Sequence, residues 1–156
     1  MSKRTGWGAA ALWLAWATSA SAIDGTVSTR YGEVGVHNGA LTFRGQPVEP
    51  RVEGNTDLMV TQANTYRIGD VDLVLVTDIG GALCPARFRA VAVTRAGATV
   101  TPVFGNCGEA IEVKVDDGRL RMVQPPRGGE GAEDVYVFDV VSDHVTENGK
   151  PLAGKR

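Results

Sequence analysis

Beyond its first 22 residues the chain has no tryptophan: Trp7, Trp13 and Trp16 are the only three, and all fall inside that segment. Histidine and cysteine are equally scarce, with His37 and His144 the only imidazoles and Cys84 and Cys107 the only thiols. A His-based triad or metal cluster would therefore have to draw on one of those two histidines. There is no C-x-x-C redox motif, no G-x-S-x-G elbow, no full EF-hand loop, and Gly80-Gly81 lacks the G-x-x-x-x-G-K continuation of a phosphate loop. No apolar run reaches the roughly 20 residues of a membrane-spanning helix. These gaps lead to the expectation of no catalytic residues, no cofactor and no metal.

The N-terminus has a clear pattern of its own. Lys3 and Arg4 precede an apolar run from Gly8 to Ala17, and Ala20-Ser21-Ala22 ends it as a small-residue cleavage site. Residues 1–22 are expected to be a secretory signal, leaving 23–156 as a single β-rich domain, periplasmic or secreted, with no membrane anchor after cleavage. Loss of Lys3 and Arg4 leaves 14 of the 16 basic residues against 18 acidic ones, a net charge of 14 − 18 = −4. Nucleic acid is a poor partner for such a surface, because that affinity comes from clustered Lys and Arg. Two cysteines bound for an oxidising compartment read as a disulfide, Cys84 to Cys107.

Short β-branched runs separated by Asn-Gly, Asp-Gly and Gly-x pairs fill the rest, which is the hairpin signature of an all-β domain. Strands are predicted near 31–37, 40–44, 47–53, 58–68, 71–78, 87–95, 98–104, 110–116, 119–124 and 134–141. A two-residue turn at Asp117-Gly118 pairs Val115 with Leu120 and Val113 with Met122. One at Asn38-Gly39 pairs Val36 with Leu41 and Val34 with Phe43, and sets His37 beside Ala40. Turns at Gly69-Asp70 and Ala96-Gly97 place Tyr66 against Leu73, Arg67 against Asp72 and Val93 against Val100, and Gly45-Gln46 is a weaker candidate. Sequential hairpins predict an antiparallel meander closing as a small barrel or sandwich, the alternative being α+β with a short helix near 79–86 or 55–64. The polar tail from Glu147 to Arg156 is expected to fray.

Both histidines read as exposed, His37 beside a turn and His144 in a loop. The acid pairs Asp70 with Asp72 and Asp116 with Asp117 lie at turns, where Asp serves local hydrogen bonding better than catalysis. The stretches Asp78 to Ala86 and Phe104 to Gly108 read as sharp turns tied together by the cysteines. From the Ala96-Gly97 register, Cys84 and Cys107 are expected as diagonal neighbours, closing a loop worth ~3 kcal/mol in the chain-entropy model.

The residues Gly80, Gly81, Cys84, Pro85 and Ala86, followed by Phe104, Gly105 and Cys107, resemble a group of small exported bacterial proteins carrying G-G-x-x-C-P-A and F-G-x-C segments. The resemblance covers about a quarter of the chain, implies a shared scaffold and carries over no catalytic residues. Periplasmic lysozyme inhibitors are similar in size, signal and β-rich build, but their S-G-A-[RK]-Y type loop is absent here.

Strand parity locates the working end. Tight turns near 45, 69, 96 and 117 fall at one pole of a meander, and the longer connections 54–57, 79–86, 105–109 and 125–134 fall at the other with both cysteines. The candidate partner-binding residues are Asp78, Asn106, Glu109, Arg127, Glu130, Glu133 and Asp134, and their acidity predicts a basic protein partner. The expected function is a protein-binding module such as an enzyme inhibitor or toxin-immunity protein. A small-ligand or glycan-binding β-barrel is the alternative, and a hydrolase the least supported reading.

Overall fold

A computed structural model of the chain describes residues 25–152. The expected signal at 1–22 and the last four residues lie outside that range. All strand pairing is antiparallel and falls into three sheets. The first runs β1 (Gly25–Thr29), β2 (Gly32–His37), β3 (Ala40–Phe43) and β4 (Gln46–Pro47). The central sheet is built on β7 (Val71–Ile79) and β8 (Ala86–Val93). Short β9 (Ala98–Val100) lies beyond β8, while β5 (Asp57–Met59) and β6 (Thr65–Ile68) share the other edge of β7. The third runs β10 (Glu112–Asp116), β11 (Arg119–Gln124), β12 (Asp134–Asp139), β13 (His144–Glu147) and β14 (Lys150–Pro151).

The central hairpin is apolar on both faces, and that decides the layering. Side chains alternate across a strand, so Leu73 and Leu75 leave β7 on one face and Val74 and Val76 on the other. Leu73, Leu75, Phe88 and Ala90 pack with Leu120, Met122, Tyr136 and Phe138 of the third sheet. Val74, Val76, Val91 and Val93 pack with Val27, Val34, Val36 and Leu41 of the first. The predicted sandwich is thus doubled, with two cores sharing β7 and β8. A strand covered on both sides reads as a near-continuous apolar run, as the Leu73 to Val76 segment does.

The hairpins at Asn38-Gly39, Gly69-Asp70 and Asp117-Gly118 have the expected registers. Asn38 with Gly39, and Asp117 with Gly118, take the paired positive φ of a primed turn, whose twist matches the strands it joins. Two other registers differ from expectation. The turn after β8 spans Thr94–Gly97, with Thr94 Oγ1 accepting from Ala96 N, so Val93 faces Ala98 and Val100 faces Val91. Positive φ falls on Arg44 and Gly45 rather than on Gln46, which pairs Phe43 with Gln46.

The strand expected at 47–53 is reduced to its start, because Pro47 and Pro50 supply no N–H to a ladder. It stays beside β3 through Val48 N to Leu41 O (3.1 Å) and Leu41 N to Val52 O (2.9 Å). The strand expected at 58–68 is two strands. Leu58 faces Asp78 and Thr65 faces Val74, and the surplus residues between them form one 3₁₀ turn at Gln62–Asn64. That turn is all the helix among the described residues, so the α+β alternative is not realised. β1 was not foreseen. Of the tail expected to fray, residues 153–156 lie outside the described range; within it Asn148 and Gly149 form a further primed turn joining β13 to β14, and His144 sits on β13 opposite Asp139, still exposed.

Cys84 and Cys107 are bonded, with their Cα atoms 4.6 Å apart. At that distance they are nearer than the diagonal neighbours expected, and the register of the 94–97 turn does not run on unbroken to them, since Phe88 bridges Phe104.

Candidate functional site

The long connections gather at one end of the layers, as parity requires, and each is tied down. Gly80 N donates to Pro85 O and Cys84 N to Gly81 O, closing the 80–85 loop on itself. A Cβ at Gly80 would collide with the carbonyl oxygen of Cys84, so the turn needs glycine for space. The disulfide joins this loop to the 105–108 loop. There Gly105, at φ +113°, passes so close to Phe88 and Gln124 that a side chain would crowd both.

Gln124 is fully buried at the end of β11. Its Oε1 accepts from Asn106 N (2.9 Å) and its Nε2 donates to Gly108 O (2.7 Å), so the amide satisfies two loop groups where water does not reach. Asn106 continues the brace, its Nδ2 donating to Pro125 O and to Asp134 Oδ2, each at 2.9 Å, and its Oδ1 accepting from Gly108 N. Asn148 Nδ2 reaches the other oxygen of Asp134 at 3.1 Å. The 125–134 loop is therefore anchored beside the disulfide.

The predicted partner-binding residues divide by what they touch. Asn106 and Asp134 spend their polar atoms on this internal brace. Asp78 is buried, 7 % exposed, with Asn55 N donating to Oδ1 at 2.8 Å. Glu109, Arg127, Glu130 and Glu133 are exposed on the loops. The same pole carries a residue the sequence reading did not single out: Leu83, 85 % exposed on the stapled 80–85 loop.

Below this surface lies a cleft of about 400 Å³, walled by Glu53 to Asn55, Asp78, Gly80, Cys84, Arg87, Arg89 and Val103. Arg87 and Arg89 continue the parity of Val91 and Val93 along β8, and Asp78 continues that of Val74 and Val76 along β7. Charged groups take over from valine on one face of the central sheet. Arg89 Nη2 stands 3.7 Å from Asp78 Oδ2, beyond hydrogen-bonding distance, and Arg89 Nε is buried with no hydrogen-bond partner. Burial pulls the Arg89 pKa below its ordinary value; Asp78 opposes that shift and Arg87 adds to it. Arg87 Nη2 makes one long contact, 3.5 Å to Val103 O. The sequence carried a trace of this site in the run Arg87-Phe88-Arg89-Ala90-Val91, where one parity turns from charged to apolar.

A second cleft, about 380 Å³, lies on the outer face of the first sheet among Thr26, Glu33, Gly35, His37 and Thr42. Neither cleft is lined by aromatic rings, which a glycan-binding barrel would offer. The acid pairs do not act together. Asp72 is buried and held by Arg30, not by its own turn, while Asp70 is exposed.

No family model matches the chain, and no curated protein or solved structure matches it either.

Proposed function

We propose that this chain is an exported protein-binding module whose loop pole docks a basic protein, in the manner of an enzyme inhibitor or immunity protein. The observation that carries the reading is Leu83, held 85 % exposed on a loop closed by its own hydrogen bonds and by the disulfide. An apolar side chain fixed in water is an unfavourable arrangement for an isolated domain, and it becomes favourable once a partner covers it. Rigid display lowers the ordering cost of association, and scaffold-mounted loops are where binding residues concentrate. Glu109, Glu130 and Glu133, exposed on the other loops, supply the charge that steers a basic surface into place.

Capture from a periplasmic extract with residues 23–156, followed by mass spectrometry and titration of the captured protein, tests the reading. A single basic partner at one-to-one stoichiometry is expected. Leu83→Asp, and separately the pair Glu130→Lys with Glu133→Lys, should each weaken it by at least about tenfold, or ~1.4 kcal/mol. Asp134 is left unchanged because its carboxylate braces the loop. Undiminished binding by both variants would remove the loop pole from the interface.

A further inference from the structure

We propose that the cleft at the loop end of the central sheet's valine face, walled by β7, β8 and the 53–55 segment, is a binding site for a small organic monocarboxylate, held by Arg87 and Arg89. The site exists because the valine face of β7 and β8 runs out from under the first sheet. Val74, Val76, Val91 and Val93 are buried against Val34, Val36 and Leu41, and one step further along each strand stand Asp78 and Arg89. Glu53 pairs with Ala40 across a bridge, so the 53–55 segment closes one side of the opening, and Gly80 with Cys84 closes another. The 80–85 wall is stapled, which gives the cleft a fixed shape.

The donor count within it is unbalanced. A guanidinium has five N–H donors in a planar fork. Arg89, with its side chain only 20 % exposed, has an orphaned Nε and meets Asp78 only at 3.7 Å. Asp78 gives one oxygen to Asn55 N. Arg87 adds a second fork whose one acceptor is the Val103 carbonyl at 3.5 Å. Two cations thus share one carboxylate, while the Glu53 carboxylate at the rim is engaged by Arg51 at 2.6 Å. The net charge of the cleft is about +1 by this count, which one carboxylate neutralises.

Charge also decides the ligand class. A carboxylate presents two coplanar acceptors to an arginine fork and adds a single negative charge beside Asp78. Phosphate or sulfate at neutral pH adds a second charge, which Asp78 repels. A volume of about 400 Å³ exceeds the needs of a carboxylate alone, and Val103 offers an apolar contact for the ligand's carbon body.

The test is titration of the ¹⁵N-labelled protein with acetate, benzoate, sulfate and inorganic phosphate at constant ionic strength, following the Arg side-chain Nε–H resonances. A saturable shift of Arg89 Nε–H with benzoate is expected, tighter than with acetate and absent with sulfate. Arg89→Lys keeps the charge and removes the fork, so binding should fall by at least about tenfold. Should that variant fail to fold, Arg87→Gln serves, with a loss of similar size expected. Asp78→Asn raises the site charge while keeping an oxygen for Asn55 N, and should admit sulfate. Shifts that rise linearly for every anion, or sulfate binding more tightly than benzoate to the unaltered protein, would overturn the assignment. So would unweakened binding in a folded Arg89→Lys or Arg87→Gln variant. Leu83, Glu130 and Glu133 do not line the cleft, so either outcome leaves the docking reading to its own experiment.

Discussion

Asp72 and Asp78 stand at opposite ends of one face of β7, with Val74 and Val76 between them, and both are buried. At the tight-turn pole, Asp72 takes Arg30 N on one oxygen at 2.6 Å and the Arg30 guanidinium on the other at 2.7 Å. Arg30 is itself held by Gly69 O and lies over the Tyr31 ring, and Asp72 raises its pKa by hydrogen bonding. At the loop pole, Asp78 has one backbone donor and an arginine standing off at 3.7 Å. A buried charge whose hydrogen bonds are complete clamps two layers together, here the first sheet to the central one. A buried charge cluster left incomplete marks a place where something else can bind.

Removal of the disulfide should have the largest effect on this contrast. Cys84→Ala with Cys107→Ala is expected to cost about 3 kcal/mol in urea unfolding, for a closed loop with a separation of 23 residues. Hydrogen exchange should quicken at Arg87 to Arg89 and stay slow around Asp72. Uniform quickening along β7 and β8 would show that the two poles are not separate. Next comes the paired exchange of the two aspartates. Asp72→Asn turns a donor toward the Arg30 donors and should cost about 2 kcal/mol, whereas Asp78→Asn keeps its acceptor for Asn55 N and should cost less than ~1 kcal/mol. Equal losses would erase the distinction between clamp and cleft.

Tyr136 extends the comparison to a neutral group. Its ring is buried beside Phe104, centroids 5.3 Å apart, and its hydroxyl donates to Glu147 Oε1 at 3.0 Å. Burial, reinforced by that bond, raises the phenol pKa well above its ordinary value near 10. A raised folded-state pKa contributes stability that is complete below the unfolded value and is lost as pH climbs through the folded one. Tyr136→Phe should cost about 1 kcal/mol at neutral pH and flatten the decline of stability above pH ~10. An unchanged alkaline limb in pH-dependent urea melts would mean that the hydroxyl is not sequestered.

Asn148-Gly149 carried the same primed-turn signal as Asn38-Gly39 and was legible in principle. The polar composition around it outweighed the dipeptide in a reading that weighted hydrophobic runs. Ala96-Gly97 differs for another reason: Thr94 and its hydroxyl close a longer turn than the dipeptide alone implies, and the ladder shifts again before the cysteines, where Phe88 bridges Phe104. Arg67 does stand opposite Asp72 as predicted, yet the carboxylate is taken by Arg30, 42 residues away. Asn106 and Asp134, predicted as partner-binding residues, hydrogen-bond to one another and hold the 125–134 loop in place.

By itself the sequence determined the hairpins whose turns are written in two residues, the alternation that assigns each strand a face, and the bond between the only two cysteines. These are local or exhaustive matters: a primed turn is set by the φ its own residues tolerate, and two thiols that pair within one chain have one partner each. Only the tertiary structure decided that β7 and β8 lie between two other sheets, where the cover on their valine face stops, and which arginine completes Asp72. Those depend on contacts between faces of strands far apart in the chain, and an apolar face carries no mark of which other apolar face will cover it.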